Sequence, residues 1–163
     1  MTFRTAACAL ALAALGARPL PALAATKHAE APVVRITKSD AEWRRQLAPQ
    51  AYRVLRQGAT DLAFTGPLWN EHRRGDFLCA GCGLLLFKSH EKFDSGTGWA
   101  SFWQPATPSH VGAIRDTSFG WVRDEVVCAR CGGHLGHVFD DGPRPTGLRY
   151  CINDSALEFV PGR

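Results

Sequence analysis

The sequence predicts a mainly antiparallel β domain opened by two short helices, and three observations predict it. Helical patterns stop at Gly58. Beyond Thr60, glycine recurs every few residues and the apolar runs are short and rich in aromatic and β-branched residues, the pattern of strands joined by turns. Two Cys-x-x-Cys-Gly units, Cys79–Gly83 and Cys128–Gly132, stand 45 residues apart and are placed to tie two distant turns together.

The elements follow in order. Ser39-Asp40-Ala41-Glu42 has capping-box spacing, with Ser39 as cap and Glu42 returning the bond. Trp43 and Leu47 share a helical face behind it. Pro49 ends this helix and starts a second, in which Tyr52 and Leu55 share a face and Gly58 closes the end. Strands are predicted at Asp76–Leu78, Leu84–Lys88, Phe119–Val127, His137–Phe139, Leu148–Asn153 and Leu157–Val160. The chain of 163 residues is long enough for one domain with a real core.

Residues 1–24 carry a different pattern. Arg4 charges the start, Thr5 to Leu15 are almost continuously Ala and Leu, and Ala22-Leu23-Ala24 places small residues where cleavage needs them. This is the layout of a signal peptide cleaved after Ala24. As a membrane anchor the run is too short, and Arg18 interrupts its end. Residues 25–35 read as a linker and 36–163 as the domain, so the sequence predicts an exported, periplasmic protein.

Removing residues 1–24 leaves 17 basic against 15 acidic residues, an excess too small to mark a nucleic-acid surface. It also removes Met1, the only methionine, and Cys8, which leaves five cysteines. An odd count means at least one thiol outside any internal pairing. Nothing in the pattern calls for more than a monomer.

In each Cys-x-x-Cys-Gly unit the two-residue gap lets both sulfurs reach one ion, and the glycine permits the turn that aims backbone amides at the thiolates. Cys79, Cys82, Cys128 and Cys131 thus make a four-sulfur set for one structural zinc with no open position for substrate. Two disulfides are the competing reading in an oxidising compartment. A redox role for either pair lacks the strand–helix setting of thioredoxin-like motifs.

Cys151 has no partner. On a strand, Arg149, Cys151 and Asn153 share a face, and Tyr150 and Ile152 take the other. A guanidinium beside a thiol favours the nucleophilic thiolate. A buried core cysteine is the plain alternative, but a core face would not carry Arg and Asn on both sides of it. His134 and His137 follow the second knuckle in a glycine-rich stretch and are candidate proton donors, with a carboxylate such as Asp141 orienting one ring. Ser95-Gly96-Thr97-Gly98-Trp99 is too short to cradle a phosphate. Trp99, Phe102 and Trp103 are candidates to wall an apolar pocket, and some of them are expected to be aromatic core instead.

From about Ile36 to Pro161 the chain resembles the B-type peptide-methionine (R)-S-oxide reductases. The matching pieces are Gln50–Arg56, Phe64-Thr65-Gly66, both knuckles, Phe93–Trp99, Gly133–Phe139, Asp141-Gly142-Pro143-Arg144 and Leu148–Asn153. The resemblance implies two antiparallel sheets with peripheral helices. It implies reduction of the R epimer of methionine sulfoxide in oxidised peptides and proteins. Cys151 would be the nucleophile, and His134 and His137 would deliver protons. Asp141 and Asn153 would support the site, Arg149 would activate the thiol, and Trp99 would hold the sulfoxide methyl.

Two positions depart from the family pattern. Many relatives carry a resolving cysteine where this chain has Thr97, and most carry proline where it has Ala100. The first implies a one-cysteine cycle, in which a thioredoxin-like or small-thiol reductant regenerates Cys151. The rival class is a non-catalytic, zinc-ribbon-like binding module. It accounts for the four knuckle cysteines but leaves Arg149, His134 and His137 near Cys151 unexplained.

Overall fold

The structure is a computed structural model that describes residues 32–117 and 122–162. The expected signal peptide, most of the linker and residues 119–121 of one expected strand lie outside the described residues.

Helix α1 (Asp40–Gln46) carries the expected capping box: the Ser39 amide donates to Glu42 and the Glu42 amide donates back to Ser39 Oγ. Helix α2 (Pro49–Gln57) starts on Pro49 and ends where Gly58 turns left-handed. Trp43, Leu47, Tyr52 and Leu55 are all buried, as their spacing predicts.

Strands β1 (Gly75–Cys79), β2 (Leu85–Lys88) and β9 (Leu157–Pro161) form one antiparallel sheet in the order β2-β1-β9. The second sheet has the order β3-β4-β8-β7-β6-β5. Its strands are β3 (Lys92–Phe93), β4 (Ala100–Phe102), β5 (Val111–Asp116), β6 (Arg123–Cys128), β7 (His134–Phe139) and β8 (Arg149–Ile152). Every pairing is antiparallel.

The core lies between the two sheets. Phe87 of β2 stacks on Phe102 of β4 at 4.3 Å, Phe77 of β1 meets the same ring edge-on, and Tyr150 of β8 leans on Phe87. Burying such rings supplies most of the driving force at a junction of this kind.

The sequence reading missed β3, β4 and β5. Ala100-Ser101-Phe102 is too short and mixed to stand out, yet it is wholly buried beside β8. β5 is a half-exposed edge strand, with Ile114 53% exposed. Its place is set by pairing with β6 and not by its own apolar pattern.

Candidate functional site

Cys151 lies in the middle of β8. It stands directly opposite Ser101 of β4 on one side and His137 of β7 on the other. Glu125 of β6 stands opposite His137 in turn. Directly opposed residues of an antiparallel pair share a face, so Ser101, Cys151, His137 and Glu125 form one row across the sheet. Tyr150 and Ile152 go to the core side, as alternation along the strand predicts.

His134 joins this face through an irregularity. Three residues apart on a regular strand, His134 and His137 would point to opposite faces. The register between β6 and β7 shifts at Val126/Val127, where Val126 pairs with Gly136 but Val127 pairs with His134. This bulge turns Leu135 into the core and brings the two imidazoles together, with ring centroids 5.5 Å apart. Gly136 makes the close approach possible, because a β-carbon there would collide with the Cys151 carbonyl oxygen.

A pocket of about 140 Å³ opens over Cys151, lined by Thr60, Trp99, Arg123, His137, Phe139 and Asn153. Trp99 is held in its wall by a hydrogen bond from Nε1 to the Asp61 carbonyl, 3.0 Å. Asn153 is 2% exposed. Its amide donates to the Leu135 carbonyl and its oxygen accepts from the Asp61 amide, so it clamps the loop that carries the wall. A larger hollow of about 580 Å³ lies beyond Thr60 and Asp61, but neither a thiol nor an imidazole lines it.

The charges around Cys151 compete. Burial pushes its thiol above the ordinary value, and the Arg149 guanidinium and a hydrogen bond with Thr97 pull it back only in part. Arg149 acts on the thiol in the predicted direction, and desolvation acts against it as the larger effect. Arg149 is held by a two-pronged pair with Asp141, both contacts at 2.8 Å, and stacks over Phe139. The Thr97 hydroxyl lies 3.9 Å from Cys151 Sγ and ends a chain of hydroxyls through Ser95 to Ser101.

Two further placements, those of Asp141 and Trp103, differ from expectation, and Phe102 takes its expected alternative. Asp141 orients Arg149 and neither histidine. The carboxylates on the rings are Glu125, 2.7 Å from His134 Nδ1, and Asp116, 3.1 Å from His137 Nε2. Phe102 belongs to the core, and Trp103 lies edge-on to His90; Arg123, Phe139 and Thr60 wall the pocket instead. A signal for Arg123 existed in the alternation of Arg123 and Glu125 on a predicted strand. No local signal marked Asp116 or Thr60.

The four knuckle cysteines come together as expected. Their sulfurs all lie within 4.8 Å of one another, with Cys79 Sγ 3.7 Å from Cys131 and Cys82 Sγ 3.5 Å from Cys128. Both of these contacts run between the knuckles, and all four cysteines are free of disulfide bonds. Zinc bonded to sulfur at about 2.3 Å in a tetrahedron sets sulfurs roughly 3.8 Å apart, so the cluster has the dimensions of a closed metal site.

The SelR domain family matches residues 47–161. Peptide methionine sulfoxide reductase MsrB of Bradyrhizobium diazoefficiens is 58% identical over 127 residues, covering 78% of this chain and 91% of the relative. The proteins of the same name from Thiobacillus denitrificans and Leptospira interrogans are 54% and 52% identical, each over 76% of this chain and 94% and 95% of their own lengths. Both knuckles, the pocket over Cys151 and all the strands that build them fall inside the matched span, and the chain belongs to the SelR domain family, that of the MsrB peptide methionine sulfoxide reductases.

Proposed function

We propose that this chain reduces the R epimer of methionine sulfoxide in oxidised peptides and proteins, with Cys151 as nucleophile, and so repairs oxidative damage. The observation that carries the reading is the pocket in which the Cys151 thiol, the His137 imidazole and the Trp99 indole converge.

Burial raises the thiol above its ordinary value, and burial also depresses the proton affinity of His137, helped by the Arg123 charge and opposed by Asp116. A neutral imidazole directly opposite a thiol is placed to take its proton. The sulfur then attacks the sulfoxide sulfur as His137 passes the proton to the sulfoxide oxygen; the S–O bond of this adduct breaks as the hydroxyl moves to the Cys151 sulfur, and the transient S–S bond breaks to free the thioether. Cys151 gives up two electrons and ends as a sulfenic acid; the sulfoxide sulfur gains them and leaves as a thioether. Thiol plus sulfoxide becomes sulfenic acid plus thioether, with no net proton. Trp99 offers the apolar wall for the methyl group. An external thiol, from a thioredoxin-like domain or a small molecule, then attacks the sulfenic acid.

Cys79, Cys82, Cys128 and Cys131 would hold one zinc ion, which would supply structure and take no part in the chemistry. We further propose that residues 1–24 act as a leader that directs the chain to the periplasm, where it works as a monomer.

The test is turnover of a sulfoxide-containing protein with a chemical dithiol. Wild type is expected to be active and Cys151→Ser inactive with the fold unchanged. Equal activity of the two proteins would overturn the reading.

A further inference from the structure

The mechanism uses His137 and the resemblance names His134, but neither says how two histidines so close together are kept apart in role. Each ring is held by one carboxylate, and by a different nitrogen. His134 meets Glu125 Oε1 through Nδ1 at 2.7 Å; His137 meets Asp116 Oδ2 through Nε2 at 3.1 Å. Both carboxylates come from the outer pair β5 and β6. Asp116 is also gripped by Arg123, whose Nη2 reaches the same oxygen at 3.1 Å.

A carboxylate only accepts hydrogen bonds, so the nitrogen facing it carries the proton. We propose that Glu125 and Asp116 are positioning residues that lock the two neutral histidines in opposite tautomers, with the His134 proton on Nδ1 and the His137 proton on Nε2. This deepens the reading above and rests on it for its catalytic meaning.

The consequences differ for the two rings. His137 lines the pocket. With Nε2 committed to Asp116, Nδ1 is the nitrogen left to exchange a proton with Cys151 and the sulfoxide. His134 is 7% exposed, and its Nε2 is buried with no hydrogen-bond partner among the described residues. With the proton on Nδ1, Nε2 is left as an acceptor, and the ring packs at 66° to that of His137. When His137 takes up the thiol proton, the Asp116 carboxylate is the anion that stabilises the imidazolium. The groups that set its charge are Asp116 on β5, Arg123 and Glu125 on β6, His134 on its own strand and Cys151 on β8. Of these, Asp116 raises the proton affinity of His137, whereas Arg123 lowers it.

Asp116→Asn should therefore do two things. The plateau of kcat/KM should fall by about tenfold or more, within the range ascribed to a general acid–base group. The acid limb of the pH profile, where neutral His137 is lost to protonation, should move to lower pH. A carboxylate that merely braced the hairpin would lower the rate without moving the limb.

The direct test is nitrogen-15 NMR of histidine-labelled, zinc-loaded protein, which reads tautomers whether or not the chain turns over. Wild type is expected to show His134 protonated on Nδ1 and His137 on Nε2. Glu125→Gln should release only the first, and Asp116→Asn only the second. The same tautomer at both rings, or an Asp116→Asn protein whose acid limb stays in place, would overturn the proposal. Opposite tautomers without turnover would leave the proposal standing and defeat the functional reading.

Discussion

The Thr97 hydroxyl stands 3.9 Å from the sulfur of Cys151. A hydroxyl there can hydrogen-bond to the thiol but cannot close a disulfide. With sulfoxide and no reductant, the protein is expected to make about one methionine per chain, because its single redox thiol can be used only once. Mass spectrometry should find a trappable sulfenic acid on Cys151. Thr97→Cys should convert that species to an internal disulfide, read as the loss of trapping. A wild-type disulfide from Cys151 to a knuckle cysteine would contradict the one-cysteine cycle.

Arg149 and Asp141 are predicted to move the Cys151 thiol in opposite directions. The rate of alkylation rises with pH as thiolate forms, and burial places its midpoint above that of an ordinary cysteine. Asp141→Asn removes an anion that raises the thiol, so the midpoint should fall. Arg149→Gln removes the cation that lowers it, so the midpoint should rise, and each unit of rise slows alkylation at neutral pH about tenfold. Shifts of the same sign in both variants would contradict this electrostatic account.

Chelation is expected to unfold the domain and not merely to slow it. The cluster joins the turn after β1 to the turn after β6, and binding energy at a site formed only in the native chain is folding energy. Metal analysis should give one zinc per chain, and Cys82→Ser should lower both zinc content and the thermal midpoint. Metal-free protein with native circular dichroism would sink the idea.

Gly136→Ala should be costly. The added carbon would strike the carbonyl oxygen of Cys151 across the β7–β8 pair. Forcing an atom into packed backbone costs about 1–3 kcal/mol, seen as a lower denaturant midpoint. A fully stable and fully active alanine variant would show that the two strands can separate freely at this point.

The sequence was most informative where chemistry is local. The capping box at Ser39, the left-handed end at Gly58 and the two glycine-flanked knuckles each depend on residues a few positions apart, and the structure forms them as written. The alternation from Arg149 to Asn153 likewise named one face of β8 correctly. What stayed hidden depends on pairing across the sheet. Asp116 reaches His137 only because β5 adds to β6, and Glu125 reaches His134 only because the register slips at Val126/Val127. The sign of the net shift at Cys151 was hidden for a related reason, since neighbours in sequence reveal the guanidinium but not the burial that outweighs it.

The central claim is that Cys151 reduces one epimer of methionine sulfoxide in the pocket it shares with His137 and Trp99. Separated R and S epimers in a peptide, each supplied with a chemical dithiol, test it most directly. The account predicts turnover of the R epimer by wild type, none of the S epimer, and none of either by Cys151→Ser. Turnover of the S epimer, or R turnover that survives the loss of Cys151, would contradict it.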